Sequence, residues 1–120
     1  MLTGSESAEL VVLSLLSEGA SYGYQLTKDA AARSEGHLRL TPGVLYPLLR
    51  QLENEGLITS SWDAVRAEDA DDAGEGRKRK WYRLSPKGKR RLGQRVEAYE
   101  SLRRVIDAFV GVRPREEGTR

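Results

Sequence analysis

Residues 41–56 read TPGVLYPLLRQLENEG, and this stretch predicts a single helix whose start and end are both marked. Thr41 is a suitable N-cap, and Pro42 suits the first helical position because the N–H that it lacks would have no partner there. Gly56 can adopt the left-handed conformation that commonly ends a helix. We therefore predict a helix over about residues 41–55.

The predicted helix has two chemically different faces. Its apolar residues recur at spacings of three and four, which predicts a stripe buried against the rest of the domain. The stripe consists of Val44, Leu45, Leu48, Leu49 and Leu52. The opposite face consists of Thr41, Gly43, Tyr46, Pro47 and Arg50. A small residue, a phenol and a guanidinium at an exposed helix start suit a reader of the DNA major groove, although an amphipathic helix with a solvated polar face fits equally well.

Composition excludes several classes of protein. The chain has no cysteine and one histidine, His37, which excludes a disulfide framework, cysteine catalysis and a His-based zinc site. It has no Gly-rich phosphate loop, and its clustered acids lack a scaffold that would aim them, so we expect no enzyme, no metal and no cofactor. No signal sequence is recognisable, and no run approaches the roughly 20 apolar residues of a membrane span, so we expect a soluble cytoplasmic protein.

Charge is distributed unevenly, although the net charge is only +2. Residues 67–76 contain five acids and no base, whereas residues 77–95 contain ten bases and no acid. A basic block of this kind attracts nucleic-acid phosphates through counterion release. The acidic block has two interpretations: it shields the bases when DNA is absent, or it is an inert solvated loop.

Two further helices precede the predicted helix at 41–55. Apolar periodicity predicts one over residues 6–17 and a second over residues 22–33, with Ser21 as the cap of the second. The histidine between them and the helix at 41–55, His37, is expected in a loop or on the surface.

The segment that follows predicts a β-hairpin. Residues 57–65 and 80–84 are rich in β-branched and aromatic side chains and predict two strands. The acidic block between them has turn residues and no periodicity, so it predicts a long hairpin tip. Trp62 and Trp81 are expected to be packing residues. A mainly α chain with a small β-hairpin after three helices predicts a winged helix-turn-helix.

A long helix ends the predicted architecture. Ser85 is its cap and Pro86 its first residue. Its apolar stripe, with a repeat of about 3.5 residues, is typical of a helix that packs lengthwise on another helix, here one from a second subunit. The stripe consists of Leu92, Val96, Tyr99, Leu102, Ile106 and Phe109. We predict a winged-helix domain over residues 1–85, a dimerisation helix over residues 86–111 and a disordered tail over residues 112–120.

Several motifs occur in an order that resembles one known family. They are Tyr22-Gly23-Tyr24, the run from Thr41 to Arg50, Leu52-Glu53, Gly56-Leu57-Ile58, the run from Arg79 to Ser85, and Gly88. From Leu10 to Val110 the chain strongly resembles the PadR family of bacterial transcriptional regulators, and the proline-glycine-x-leucine-tyrosine-proline run is the most specific part. The single C-terminal helix is similar to that of the short subgroup, in which this helix pairs across a two-fold axis.

The resemblance implies a homodimeric repressor that binds a palindromic operator and is often released by a small aromatic or cationic effector. Our hypothesis for the basic run of Arg77, Lys78, Arg79 and Lys80 is that it grips the DNA backbone in or beside the minor groove. The resemblance assigns DNA contacts to Thr41, Pro42, Gly43, Tyr46 and Arg50, and a phosphate contact to Tyr22 or Tyr24, with Tyr24 equally a core residue. It also makes Tyr99 the candidate effector contact, because family members have pore-lining residues at this place, although a tyrosine on an apolar stripe is equally an interface residue. The wing departs from the family, whose wing tips are usually short and basic.

A second class of function is a winged-helix interaction module that has lost DNA binding and acts through its C-terminal helix. This alternative predicts a dimer that is indifferent to DNA. The predicted exposed face with Tyr46 and Arg50, together with the basic block, argues against it because bases placed at random on a surface would not favour one stretch so heavily.

Overall fold

The computed structural model describes residues 4–64 and 78–111. Its elements in chain order are α1 (Gly4–Ser17), β1 (Ser21–Tyr22), α2 (Gly23–Arg33), α3 (Pro42–Asn54), β2 (Ile58–Ala64), β3 (Lys78–Leu84) and α4 (Pro86–Val110). The strands form one antiparallel sheet in the order β1-β3-β2. The acidic block, Arg77 and the tail predicted over residues 112–120 lie outside the described residues. The mainly helical architecture with a small antiparallel sheet confirms the predicted fold class.

Strand β1 is an element that the sequence analysis missed. Ser21 pairs with Tyr82 and Tyr22 pairs with Trp81, so Ser21 belongs to a third strand. Its predicted role as the cap of α2 is wrong, because Tyr22 holds the N-cap position and makes no side-chain cap hydrogen bond. A two-residue strand is too short to show alternation, and its pairing depends on a partner far along the chain.

The two ends of α3 are formed differently. At its start the carbonyl of Thr41 accepts the first helical hydrogen bonds, but the Thr41 side chain makes no cap hydrogen bond. At its end Gly56 has a φ of +76°, as predicted. The Gly56 N–H donates to the Glu53 carbonyl over 3.0 Å and the Leu57 N–H donates to the Leu52 carbonyl over 2.9 Å. This pair of bonds is a Schellman motif, and it turns the chain directly into β2.

The core lies between α1, α2, α3 and the sheet. Its largest fully buried side chains are Val12, Leu13, Leu26, Leu40, Leu45, Leu49, Leu52, Leu57 and Ile58. Val44 is 51% exposed, so its predicted place in the buried stripe of α3 is wrong. Leu45, Leu49 and Leu52 already form a row at spacings of four and three, and Val44 lies about 100° around the helix from Leu45.

Helix α4 has two contrasting halves. Its first half packs on α1 and the sheet, and Leu92 contacts the core of its own chain, so a second subunit is not needed to cover Leu92, contrary to its predicted interface role. Its second half exposes large apolar side chains, with Phe109 76% and Val110 75% exposed. Among residues 4–64 and 78–111, no helix combines the length and the apolarity that crossing a membrane requires.

Candidate nucleic-acid interface

The face of α3 that turns away from the core is open to solvent. All five residues predicted on this face are exposed: Thr41, Gly43, Pro47 and Arg50 in addition to Tyr46, which is 39% exposed. No atom of the described residues lies within 4 Å of a Cβ built at Gly43. The first turns of α3 therefore present backbone, a phenol and a guanidinium to any ligand that approaches this side.

A cleft of about 320 Å³ separates α3 from the sheet. It is lined by four aromatic residues, three bases, one acid and one glycine, namely Tyr22, Tyr46, Trp62, Tyr82, Arg50, Arg79, Lys80, Glu53 and Gly23. Five of the residues predicted to contact DNA thus line one space, although they come from β1, α3 and β3. The cleft joins the exposed face of α3 to the hairpin.

Gly23 and Tyr46 meet at the floor of the cleft. A Cβ built at Gly23 would collide with the hydroxyl of Tyr46. The glycine that follows β1 is therefore what lets Tyr46 lie against the start of α2. This contact restricts the phenol of Tyr46 to a defined position.

Arg79 is held against aromatic rings rather than extended into solvent. It is 8% exposed, and its guanidinium carbon lies 4.0 Å from the centre of the Tyr22 ring and 6.0 Å from that of Trp81. The two rings meet edge to face with centres 5.0 Å apart, which confirms Trp81 as a packing residue. Tyr22 is also 8% exposed, so its ring supports Arg79 and has little surface left for DNA.

Lys80 occupies the opposite wall of the cleft. Its ammonium lies 5.7 Å from the Trp62 ring centre, 5.6 Å from the Tyr82 ring centre and 3.7 Å from a carboxylate oxygen of Glu53. Ser60 donates a short hydrogen bond to the same carboxylate. Burial, followed by the charge of Glu53, raises the pKa of the Tyr82 hydroxyl above its ordinary value, so Tyr82 stays neutral at physiological pH.

Trp62 lies on the rim of the cleft and is 64% exposed. The prediction that Trp62 is a packing residue is therefore wrong. It lies opposite Lys80 in the strand register, so its ring and the lysine stem stand side by side on β2 and β3. An exposed indole beside an ammonium suits contact with a polyanion that also offers flat surfaces.

The described bases of the basic block do not form one continuous surface. Arg79 and Lys80 line the cleft. Lys87, Arg91 and Arg95 instead bind acceptors within the chain, with the Lys87 ammonium 2.9 Å from the Glu55 carbonyl oxygen. Sequence reasoning treated the block as one phosphate-attracting surface, because adjacency along the chain does not show which side of a strand or helix each base occupies.

Four cleft residues were not predicted as site residues: Gly23, Glu53, Trp62 and Tyr82. Gly23 stood within a recognised motif, and a glycine at the start of a helix is a clue to a close approach. Glu53 and Tyr82 also stood within recognised motifs, but no signal in the sequence indicated that they would lie near each other, because this depends on how α3 packs against the sheet.

Three helices with an exposed third helix, followed by a hairpin with a basic cleft, define a winged helix-turn-helix DNA-binding protein. Residues 12–94 match the transcriptional regulator PadR-like family, so the chain belongs to the PadR family. This finding confirms the predicted family. Members of the family are DNA-binding transcriptional regulators and not enzymes, and the same holds for this protein.

Relatives that are named as transcriptional regulators agree with this assignment. The transcriptional regulator Rv3488 of Mycobacterium tuberculosis is 30% identical over 100 residues, which cover 83% of this chain and 82% of Rv3488. The transcriptional regulator YqjI of Escherichia coli is 32% identical over 105 residues, which cover 88% of this chain but 45% of YqjI. A solved transcriptional regulator from Clostridium thermocellum has a TM-score of 0.73 and 28% identity, with 88% of this chain and 94% of that chain covered.

Proposed function

We propose that this protein is a homodimeric cytoplasmic repressor that binds a palindromic operator and responds to a small aromatic or cationic effector. The observation that carries the proposal is the exposed face of α3 beside a cleft with three bases and one acid among the described residues. A groove of this charge attracts the DNA backbone, and the adjacent helix start reads bases. Tyr46, Arg50 and Gly43 would meet base edges.

Tyr22 and Arg79 are each 8% exposed, so they would support the wall of the cleft. Lys80 and Lys78, both on β3, would hold the DNA backbone, and Lys78 lies opposite Ala64 in the strand register. Thr41 and Pro42 precede the face that would enter the groove. Contacts of this kind fix the register of the protein on the duplex but carry no sequence information themselves.

The second half of α4 supports a dimer as the binding unit. Its large apolar side chains are exposed in the single chain: Tyr99 44%, Val105 56%, Ile106 46%, Phe109 76% and Val110 75%. A contiguous apolar surface of this kind marks an interaction site, and a second copy of α4 offers the matching stripe. Val96 and Leu102 are half-buried and continue this surface. Pairing of two such helices would place two copies of α3 about one turn of DNA apart, roughly 34–36 Å.

Tyr99 is the proposed effector contact. Its ring is 44% exposed at the middle of α4, where a planar ligand can stack on it. A ligand held between two α4 helices would act by changing the angle between the two winged-helix domains.

The test is binding of the purified protein to its own upstream promoter and to unrelated DNA over a series of salt concentrations. The variant Tyr46→Ala/Arg50→Ala removes two exposed side chains of the reading face. Arg33→Ala is the control, because it removes an exposed arginine that pairs with Glu18 and does not line the cleft. We expect preferential promoter binding by the wild type and the control, and its loss in the double variant.

If the protein is instead an interaction module without DNA binding, the opposite result is expected. A dimer that binds both DNAs equally weakly, or not at all, in the wild type and in the double variant alike would contradict the repressor proposal. The salt series distinguishes a DNA-binding repressor from an interaction module, because phosphate contacts make the affinity for DNA fall steeply with salt concentration.

The dimer itself is tested with Ile106→Asp. Ile106 is 46% exposed in the single chain, so the substitution leaves the domain folded but places a charge in the proposed interface. We expect monomers in sedimentation experiments and no operator binding. Ser101→Asp adds the same charge to an exposed position outside the apolar stripe and should leave both unchanged. Operator binding by a monomer at wild-type affinity would refute this geometry.

A further inference from the structure

The end of α3 and the start of α4 form a rigid joint. The Ser85 hydroxyl donates to the Gly56 carbonyl over 2.6 Å, and the Ser85 N–H donates to the Leu57 carbonyl over 3.0 Å. Gly88 lies so close that a Cβ built there would collide with the same Leu57 carbonyl oxygen. The Ser85 hydroxyl also caps α4 by accepting from the Gly88 N–H over 3.0 Å. Ser85 therefore caps the start of α4 and also attaches it to Gly56, the residue that follows the end of α3.

A second attachment lies farther along α4 and consists of charged groups. Glu9 of α1 is 6% exposed, and its carboxylate accepts from Arg95 over 2.8 Å and from Arg91 over 3.3 Å. Arg91 also lies 3.5 Å from the carboxylate of Glu55, the residue that caps the end of α3. Arg95 lies 3.8 Å from the carboxylate of Glu6. This Glu9 network connects α1, the end of α3 and α4.

Two attachments are needed to fix the direction of a rod, and one leaves it able to tilt. The joint at Ser85–Gly88 fixes the start of α4, and the Glu9 network holds it about two turns later. From Arg95 to Phe109 the helix then extends about 21 Å, at 1.5 Å per residue. A tilt of about 10° at the network would move the far end by about 4 Å, which is close to the 3.4 Å rise of one base pair.

We propose that Glu9, Arg91 and Arg95 are positioning residues for DNA recognition, which set the angle between α3 and α4 and thereby the half-site spacing that the dimer accepts. This proposal rests on the proposed function, because spacing has a meaning only for a dimer joined through α4.

The chemistry of the network suits this task. A carboxylate shared by two guanidinium groups is directional, because each N–H must point at an oxygen. A buried ion pair adds little net stability compared with apolar packing, but it restricts the arrangements that remain acceptable. The hydrogen bond from Arg95 to Glu9, at 2.8 Å, also raises the pKa of that guanidinium.

The test compares the wild type with Glu9→Gln on operators whose half-sites are moved apart or together by one base pair. Glutamine keeps the size of Glu9 but removes its charge. Glu18→Gln is the matched control, because Glu18 pairs with Arg33 through two short hydrogen bonds of 2.6 and 2.8 Å that do not involve α4. The operator is the promoter site located in the binding experiment above.

For the wild type and Glu18→Gln we expect one preferred spacing and a penalty of about tenfold for one added base pair, equivalent to about 1.4 kcal/mol. For Glu9→Gln we expect the penalty to fall to less than about threefold, with circular dichroism and dimer formation unchanged. A spacing profile identical to that of the wild type would overturn the proposal. An equal loss of affinity at every spacing would also overturn it, because a merely structural role has that effect.

A measurement without DNA separates failure of this proposal from failure of the proposed function. The chain has no cysteine, so Val44→Cys, at an exposed site on α3, provides one spin label per protomer. The distance between labels in the dimer should be narrowly distributed for the wild type and Glu18→Gln, and broader or displaced for Glu9→Gln. An unchanged distribution overturns the positioning role even if the dimer binds DNA. The absence of any distance between labels refutes the dimer, and this proposal with it.

Discussion

Helix α3 is open to solvent at its start and covered by the start of α4 at its end. The same types of residue, glycine and arginine, nevertheless lie at both ends. At the start, no atom of the described residues lies within 4 Å of a Cβ at Gly43, and Arg50 is exposed on the same face. At the end, Gly88 leaves no space beside Leu57, and Arg91 lies 3.5 Å from the Glu55 carboxylate. A glycine and an arginine thus lie on an open surface at one end and at the attachment of another helix at the other. Residue type alone does not separate these roles, whereas the presence of acidic partners and of backbone nearby does.

Gly88→Ala should have the largest effect, and it tests the covered end. Alanine normally stabilises a helix relative to glycine by up to about 1 kcal/mol, but here its methyl group meets the Leu57 carbonyl, and overpacking costs about 1–3 kcal/mol. We expect a net loss in the free energy of unfolding, measured with urea. Gly93→Ala on the same helix has no described atom within 4 Å and should be stabilising. A stabilised Gly88→Ala would show that the joint is loose.

A paired substitution of Arg50 and Arg91 comes next in magnitude. Arg50→Gln should weaken operator binding by about 1–3 kcal/mol and leave the free energy of unfolding nearly unchanged. Arg91→Gln should lower the free energy of unfolding by about 1–2 kcal/mol, through its bonds to Glu9 and Glu55, and reduce affinity for the preferred operator by less than about threefold. DNA titration and urea unfolding of both variants are the measurements. If Arg50→Gln and Arg91→Gln changed operator affinity and the free energy of unfolding equally, the proposed difference between the start and the end of α3 would be wrong.

Gly43→Ala should have a smaller effect, with opposite signs for stability and binding. The added methyl meets no described atom, so the helix should gain up to about 1 kcal/mol. The same methyl lies on the face that would approach bases, so operator affinity should fall by a few fold, which corresponds to less than about 1.4 kcal/mol. Thermal unfolding measures the expected gain in stability, and a DNA titration measures the expected loss of operator affinity. Unchanged affinity would place the DNA away from the first turn of α3.

Glu18→Gln should have the smallest effect, because it touches neither end of α3. Hydrogen bonds from Arg33 hold the pKa of the Glu18 carboxyl below its ordinary value of 4.5. Such a carboxyl stabilises the fold above the unfolded pKa, and this contribution is lost as the pH falls through the lower folded pKa. Urea unfolding should therefore show a slight loss of stability in the variant at pH 7 that disappears in acid. A difference that grows in acid would contradict the pairing.

Much of the fold could be predicted because its signals are local. Pro42 and Gly56 mark the ends of α3, and the Leu45, Leu49 and Leu52 row identifies its buried side. What was missed depends on contacts distant in the chain. β1 exists because Ser21 and Tyr22 meet β3. Val44 is exposed because the row beside it is sufficient for the core.

The sequence pointed to several of the residues that line the cleft, but it did not show how they contact one another. Tyr46, Arg50 and Lys80 were each predicted to contact DNA, and the structure places all three around one cleft. That Arg79 lies flat on Tyr22, whereas Arg91 turns toward Glu9, follows from strand register and helix phase. Neither can be obtained from the count of bases between residues 77 and 95.

The different exposure of the two tryptophans makes the protein its own optical probe. Trp62 is 64% exposed on the rim of the cleft, whereas Trp81 is half-buried against Tyr22. With Trp81→Phe, the remaining indole fluorescence would report on what enters the cleft. With Trp62→Phe, it would report on whether the sheet stays folded. Occupancy of the cleft and folding of the sheet can thus be followed separately by tryptophan fluorescence, one in each variant, without attaching a dye.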